Sequence, residues 1–348
     1  MNVIYDDIVY SLQKAGGISV MWSQITNSVP YPAKHIQYDN ARNNMFGALI
    51  EGHEYDIRSA KGLQLKRFLN LKFDEQNPFI FHSSYFRYCK NANAINVTNV
   101  YDFIYEYYAH NLKSMFHKLQ KKEAILHSDG VICISECTKR DLKQFCPNYS
   151  GEIKVIYCGY DRQTFFYEKL PKEKYILCVG GRNGYKRFDY TIDILKYLPD
   201  CKLILVGGGP ITENEYKLLE STIPNRYEKV GYLNNDELRR LYNKAFLLSY
   251  CSDYEGFGIP PIEAQACGCP VVCQAKASLP EVVQDSAIIF DATNIEATII
   301  AIKKLYKEDY YYHLVQKGLA NVKRFSWEKC KREVYEFYDF LLKKNGLI

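Results

Sequence analysis

Long apolar runs are missing from this 348-residue sequence. A membrane-spanning helix needs about 20 predominantly apolar residues. The longest run, of the kind Ala245-Phe-Leu-Leu-Ser-Tyr-Cys251, has only the length of a strand. The N-terminus, Met1-Asn-Val-Ile-Tyr-Asp-Asp7, places acids where a signal peptide carries bases. The chain is therefore expected to stay where it is made, in the cytoplasm. A large charge excess is also missing: 45 basic and 40 acidic residues leave +5, too little and too dispersed for nucleic acid as a partner. Cys-x-x-Cys does not occur among the twelve cysteines. Cys133, Cys178, Cys251 and Cys273 sit inside apolar runs, and Cys267, Cys269 and Cys273 lack the paired spacing of a zinc site. Buried thiols in a reducing compartment are the expectation. Asp-x-Asp, which would hold Mn²⁺ or Mg²⁺ on a diphosphate, is absent, so no metal and no cofactor are expected. Gly-x-Gly-x-x-Gly is absent too. Gly207-Gly-Gly-Pro210 has Thr212 where the last glycine would stand, which argues against a nicotinamide-dependent oxidoreductase.

What is present is a chain that is 47% hydrophobic and 24% charged, as a globular core requires. At roughly 150 residues per domain its length suggests about two domains. Short β-rich runs alternate with helical patterns throughout. Strands are predicted near Val3–Tyr5, Phe79–His82, Asn96–Tyr101, Val131–Ser135 and Ile153–Tyr157. A second series follows at Tyr175–Gly180, Lys202–Gly207, Glu228–Val230, Phe246–Tyr250, Pro270–Cys273 and Ala287–Phe290. Such alternation predicts an α/β protein with two parallel, doubly wound sheets. The polar, proline-containing stretch Asp161–Lys174 is the expected boundary, giving domains 1–168 and 169–326. Trp327–Leu342 has an amphipathic helical pattern with Val334, Phe337 and Leu341 on one side.

Ligands of doubly wound folds bind beyond the carboxyl ends of the strands. Glu255-Gly-Phe-Gly-Ile-Pro-Pro-Ile-Glu263 follows the strand Phe246–Tyr250. Pro260 and Pro261 suit the first turn of a helix, and Gly256 and Gly258 let backbone approach a ligand closely. The helix start can hold an anion or a sugar hydroxyl. Glu255 lies before the helix and Glu263 about one turn inside it, so each carboxylate can grip vicinal hydroxyls. Gly180-Gly-Arg-Asn-Gly-Tyr-Lys-Arg187 follows another strand, and a glycine-rich turn carrying Arg182 and Lys186 can hold a diphosphate. A turn with a solvated glutamate, and a basic surface loop, are the bland alternatives for these two elements.

Together these elements resemble the retaining family 4 glycosyltransferases of the GT-B fold (glycosyl transferases group 1), and in particular bacterial polysaccharide-assembly members. Glu255 and Glu263 match that family's Glu-x7-Glu signature, and Arg182 and Lys186 its basic pair. Gly207–Pro210, Val230-Gly-Tyr-Leu233, Gly268-Cys-Pro-Val-Val272 and Leu279-Pro-Glu281 resemble its later strand-end loops. Phe325-Ser-Trp327 resembles the entry to a closing helix that returns to the first domain. In the N-terminal half, Gly16-Gly17, Asp129-Gly-Val-Ile-Cys-Ile-Ser-Glu136 and Phe81-His-Ser-Ser-Tyr85 with Arg87 resemble family segments. One departure is Tyr101, which stands with Asp102 where many members have His-Asp.

The resemblance implies two Rossmann-like domains facing each other across a cleft. It implies transfer of a hexose-type sugar from GDP-mannose or a UDP-hexose to a hydroxyl of a glycan or lipid-linked glycan, with retention. Glu255, Arg182 and Lys186 take the catalytic roles. Gly16, Gly17, Gly207, Tyr232, Gly256, Phe257, Gly258, Ile259 and Glu263 bind the donor. His82, Arg87, Tyr101 and Asp102 stand on the acceptor or sugar side. The rivals are a sugar-nucleotide epimerase of similar architecture, which would need acids and bases around the sugar, and a non-catalytic sugar-nucleotide-binding protein. A further expectation concerns residues 112–122. Leu112, Met115, Phe116 and Leu119 share one helical face, flanked by Lys113, Lys118, Lys121 and Lys122. Such a helix can lie peripherally on an anionic membrane at its inner face, or pack as an ordinary amphipathic helix.

Overall fold

The computed structural model describes residues 2–231 and 233–347. The chain forms two compact units, one running to Gly159 and resuming at Trp327, the other spanning Tyr160–Ser326. The expected boundary at 168/169 thus falls inside the second unit. Asp161 starts that unit's own structure by accepting from the Gln163 and Thr164 amides, at 3.0 and 3.2 Å.

Among the described residues the first unit builds one seven-stranded sheet. Its strands are β1 (Asn2–Asp6), β2 (Ala33–Tyr38), β3 (Glu54–Arg58), β4 (Phe79–Ser83), β5 (Ala94–Val100), β6 (Gly130–Cys133) and β7 (Glu152–Val155). All pairings are parallel, in the order β3-β2-β1-β4-β5-β6-β7. Parallel strands are covered on both faces, so central ones read as continuous apolar runs. β4 is buried along its whole length. β2 (Ala-Lys-His-Ile-Gln-Tyr) and β3 (Glu-Tyr-Asp-Ile-Arg) carry mixed polarity and were not predicted. β3 is an edge strand, where half-exposed polar positions are tolerated, whereas His35 and Gln37 of β2 are buried on Asp7.

The helix Trp327–Lys344 belongs to this first unit. Its Val334, Phe337 and Leu341 are buried. Tyr335 donates to the Ile25 carbonyl at 2.8 Å, and Tyr31 donates to Asp339 at 2.7 Å.

The second unit holds a six-stranded parallel sheet among its described residues, in the order β10-β9-β8-β11-β12-β13. These strands are β8 (Tyr175–Val179), β9 (Lys202–Val206), β10 (Tyr227–Val230), β11 (Leu247–Tyr250), β12 (Val271–Gln274) and β13 (Ile288–Phe290). Ile176, Leu203, Leu205, Leu247 and Val272 join Ile192, Leu195 and Leu219 from the helices in one core. Each sheet is therefore Rossmann-like, with the winding reversing between β1 and β4 in one and between β8 and β11 in the other. All twelve cysteines are free thiols; Cys178 is only partly buried and the others are buried.

Candidate functional site

The reversal between β8 and β11 concentrates the second unit's chemistry. β8 ends at Val179 and runs into the glycine-rich turn 180–187. β11 ends at Tyr250 and runs through 251–258 into the helix Ile259–Ala266. The turns are joined where the Asp253 amide donates to the Tyr185 carbonyl at 2.7 Å. Gly258 caps the helix at φ 105°, a left-handed conformation that costs glycine little. Ser278 pins the approach by donating to the Glu255 carbonyl at 2.9 Å and to that of Phe257 at 2.8 Å.

This geometry brings two of the expected residues into contact. Lys186 Nζ lies 2.6 Å from Glu255 Oε1. The ammonium also stands 5.6 Å from the ring centre of Tyr250, within cation–π range. Both side chains are largely covered, at 20% and 9% exposure. Burial, and then the neighbouring Glu255, push the Tyr250 phenol up, so it stays a neutral donor. Glu263 lies one turn into the helix. Its carboxyl is desolvated and therefore raised to about 7; Tyr242 opposes the rise by donating at 3.3 Å, while Asp161 adds like charge. Ser278, Tyr250 and Tyr242 had no motif of their own. Only pairing through the fold identifies them.

Arg182 is not available in the turn expected to hold a diphosphate. It is 7% exposed, and its donors are engaged inside the protein. Nε reaches Glu215 at 2.9 Å, Nη1 the Gly207 carbonyl at 3.0 Å, and Nη2 the carbonyls of Gly209 at 3.1 Å and Pro210 at 3.0 Å. Gly207, Gly208 and Gly209 are all left-handed, with φ of 72°, 71° and 73°. Three such residues in succession need glycine, and they turn carbonyls toward the guanidinium. Burial alone would raise the Glu215 carboxyl; the Thr212 amide and Arg182 outweigh it and hold it low. Arg182 thus fastens the loop after β9 rather than standing free for a phosphate. Arg187 is likewise occupied, by Asp189 at 2.6 Å and Asp253 at 3.5 Å. Tyr232 lies outside the described residues.

The expected residues of the first unit divide in the same way. Gly16 and Gly17 open the helix Gly17–Thr26. His82 is wholly buried, with Nδ1 2.5 Å from the Tyr338 hydroxyl of the closing helix. Burial lowers its pKa to about 3, leaving it neutral. It is a packing residue beneath the closing helix, not a group on the sugar side. Arg87 is also buried. It is held by both Asp6 oxygens, through Nε at 2.8 Å and through Nη2, and by the Tyr38 hydroxyl at 2.9 Å. Tyr101 is 5% exposed, with its hydroxyl 3.3 Å from the Ser84 carbonyl. Asp102 accepts from the Ile104 amide at 3.0 Å and its carbonyl accepts from Lys121 at 2.9 Å.

The helix Leu112–Leu126 leaves Leu112, Met115, Phe116 and Leu119 exposed, as a docking face needs. Its cations are another matter. Lys121 is 1% exposed and paired with Glu106 at 2.8 Å, so it is not part of a surface patch. His117 is buried against Tyr85 and neutral, its pKa lowered to about 3 chiefly by burial and then by Lys121. Among the described residues no helix is long and apolar enough to cross a membrane, and no group of three or more His, Cys, Asp or Glu could hold a metal ion.

Residues 159–319 match the family model described as Glycosyl transferases group 1. O-antigen chain mannosyltransferase B of Escherichia coli is 39% identical over 113 residues, covering 32% of this chain and 30% of its own. A sucrose-phosphate synthase structure from Thermosynechococcus elongatus superposes with a TM-score of 0.72 at 17% identity, over 99% of this chain and 100% of its own. The Anabaena protein HepE in complex with UDP-glucose does so at 0.70 and 18%, over 97% and 99%. These likenesses show the GT-B fold. The chain spans less than two thirds of the length of the curated relatives it matches, from 14% to 62%.

Proposed function

We propose, from the match of residues 159–319 to the glycosyl transferases group 1 model, that the protein is a retaining, metal-independent glycosyltransferase. It moves a hexose-type sugar from GDP-mannose or a UDP-hexose to a hydroxyl of a glycan or lipid-linked glycan. The observation that carries this reading is the Lys186–Glu255 contact at the reversal between β8 and β11, with Glu263 one turn further on. UDP-glucose in HepE and mannose transfer in the Escherichia coli relative support a nucleotide-sugar donor.

Lys186 is paired with Glu255. A donor diphosphate competes for the ammonium and releases the Glu255 carboxylate toward the sugar hydroxyls. The two groups then act on opposite ends of the bond that breaks. Lys186 and the helix start stabilise charge on the departing diphosphate, and Glu255 orients the sugar. Glu263 holds the ribose hydroxyls. The bond from the anomeric carbon to the phosphate oxygen breaks, the bond to the acceptor oxygen forms, and the acceptor proton passes to the departing diphosphate. Arg182 acts at one remove, by shaping the loop Gly207–Pro210.

Peripheral contact with an anionic leaflet fits the exposed Leu112, Met115, Phe116 and Leu119 with Lys113 and Lys122 beside them. The experiment that tests the reading is a thermal-shift panel of GDP, UDP, GDP-mannose and UDP-glucose, followed by product analysis with the stabilising donor. A donor at about 100 times its dissociation constant adds about 2.7 kcal/mol. No shift with any nucleotide would refute the assignment. Epimerised donor without transfer would replace it.

A further inference from the structure

The first unit has a cavity of its own at the carboxyl ends of β2 and β3, which the donor chemistry does not use. It measures about 350 Å³, and its lining includes Tyr38, Arg58, Lys66, Asn70, Lys72 and Arg87. That is a size suited to a small polar ligand. Four of those side chains are cations and none of the lining residues is an acid. Arg58 is steadied by Asp56 at 2.7 Å and Arg87 by Asp6. Lys66 and Lys72 form no ion pair among the described residues. Four cations less the two carboxylates that hold them leaves an excess of two.

The neutral groups point the same way. The Tyr38 oxygen accepts from Arg87 at 2.9 Å, so its hydroxyl hydrogen is left to donate outward. Asn70 Oδ1 accepts from the Tyr88 amide at 3.3 Å, which leaves its amide hydrogens for a ligand. A cavity walled by cations and donors matches the acceptor-only oxygens of a phosphate. The same segment also exposes apolar side chains beside the lysines. Leu65 is 79%, Phe68 41% and Leu69 63% exposed, and Leu69 itself lines the cavity.

We propose that this cavity is a phosphate-recognition subsite. Arg58, Lys66 and Lys72, with the Tyr38 hydroxyl and the Asn70 amide, bind a phosphate or diphosphate borne by an alkyl chain that lies on Leu65, Phe68 and Leu69. That this phosphate belongs to the acceptor rests on the transfer reading; the subsite itself does not.

The test titrates inorganic pyrophosphate and geranyl diphosphate into the full chain carrying Lys186→Ala, which impairs the donor's diphosphate site. Calorimetry gives affinity, and hydrogen exchange locates binding. Both probes are expected to protect residues 58–72, with geranyl diphosphate the tighter. Lys66→Gln with Lys72→Gln is expected to weaken both by about tenfold or more, as loss of charge-assisted hydrogen bonds does. The control pair Lys304→Gln with Lys307→Gln, exposed in the second unit, should leave affinity unchanged. Nucleotide binding by the otherwise wild-type protein should survive the Lys66 and Lys72 changes. If nucleotides fail to bind while pyrophosphate still protects 58–72, the transfer reading falls and the subsite stands. The subsite is overturned if neither probe protects 58–72 at millimolar concentration, or if the control pair weakens binding equally. Binding to anionic vesicles with no response to either soluble probe also overturns it, in favour of a membrane headgroup.

Discussion

With Glu263 on the ribose hydroxyls, as proposed, nucleoside binding is expected to be proton-linked. Burial raises its carboxyl to about 7, and Asp161 adds to the rise while the Tyr242 hydroxyl resists it. A ribose diol donates two hydrogens, and only the ionised carboxylate offers both oxygens as acceptors. Binding must therefore expel the proton. With a folded-state value of about 7, roughly a tenth of the chains are ionised at pH 6, so affinity there should be about tenfold below that at pH 8.5. Near pH 7 each binding event should release roughly half a proton. The assay is calorimetry with guanosine and uridine in buffers of different ionisation enthalpy. Nucleosides are used because a phosphate's own ionisation near pH 6 would mask the effect. Glu263→Gln should abolish the pH dependence and weaken binding, whereas Glu255→Ala should do neither, because its partner is the sugar. Stability carries the opposite trend. The folded value lies above the unfolded one near 4.5, so the folded chain holds more protons across that window. Stability from this group is highest below it and falls as pH rises toward 7. Affinity independent of pH in the wild type, or a slope that persists in Glu263→Gln, would refute the reasoning.

Lys186→Ala is expected to lower turnover on the order of 10²–10³-fold, as loss of one preorganised charge does, and to lower the melting temperature less than Arg182→Ala does, since Lys186 leaves one carboxylate, Glu255, without its partner. Arg182→Ala should lower stability by on the order of 3 kcal/mol, because Glu215 and the Gly207–Pro210 carbonyls lose their shared partner. Arg182→Lys should not restore it, since an ammonium cannot span those acceptors. Thermal unfolding compared with initial rates separates the two residues; a stable Arg182→Ala with lost turnover would return Arg182 to the phosphate. Activity is expected to persist in excess EDTA, and loss restored by Mn²⁺ would overturn metal independence. In co-sedimentation, anionic vesicles should bind the protein at low salt and release it at high salt. Lys113→Glu with Lys122→Glu should abolish binding, and a wild type indifferent to anionic vesicles would end the docking proposal.

Much of the architecture was legible because periodicity and punctuation are local. Central parallel strands are buried on both faces, so Phe79–Ser83 and Leu247–Tyr250 announce themselves as apolar runs. Glu255–Glu263 was legible as strand end, glycine turn and proline-started helix, each set by backbone preference over a few residues. β2 and β3 were not, since their polar side chains meet neighbours that only the assembled sheet supplies.

What the sequence determined by itself is therefore the doubly wound class, the site's place at strand ends, and the candidate residues. It did not determine which of those residues are free to act. Arg182 and Lys186 stand in one turn and carry the same charge, yet one is consumed by Glu215 and three backbone carbonyls while the other has, among the described residues, the single ion-pair partner Glu255. Lys121 and Lys122 are adjacent, yet one is buried on Glu106 and the other exposed. Availability depends on partners distant in the chain, and residues such as Glu215, Tyr338 and Asp6 come within reach only once the sheets have formed. Tertiary structure thus decided which cations remain for a ligand, because a charge already solvated by the protein has little left to offer one.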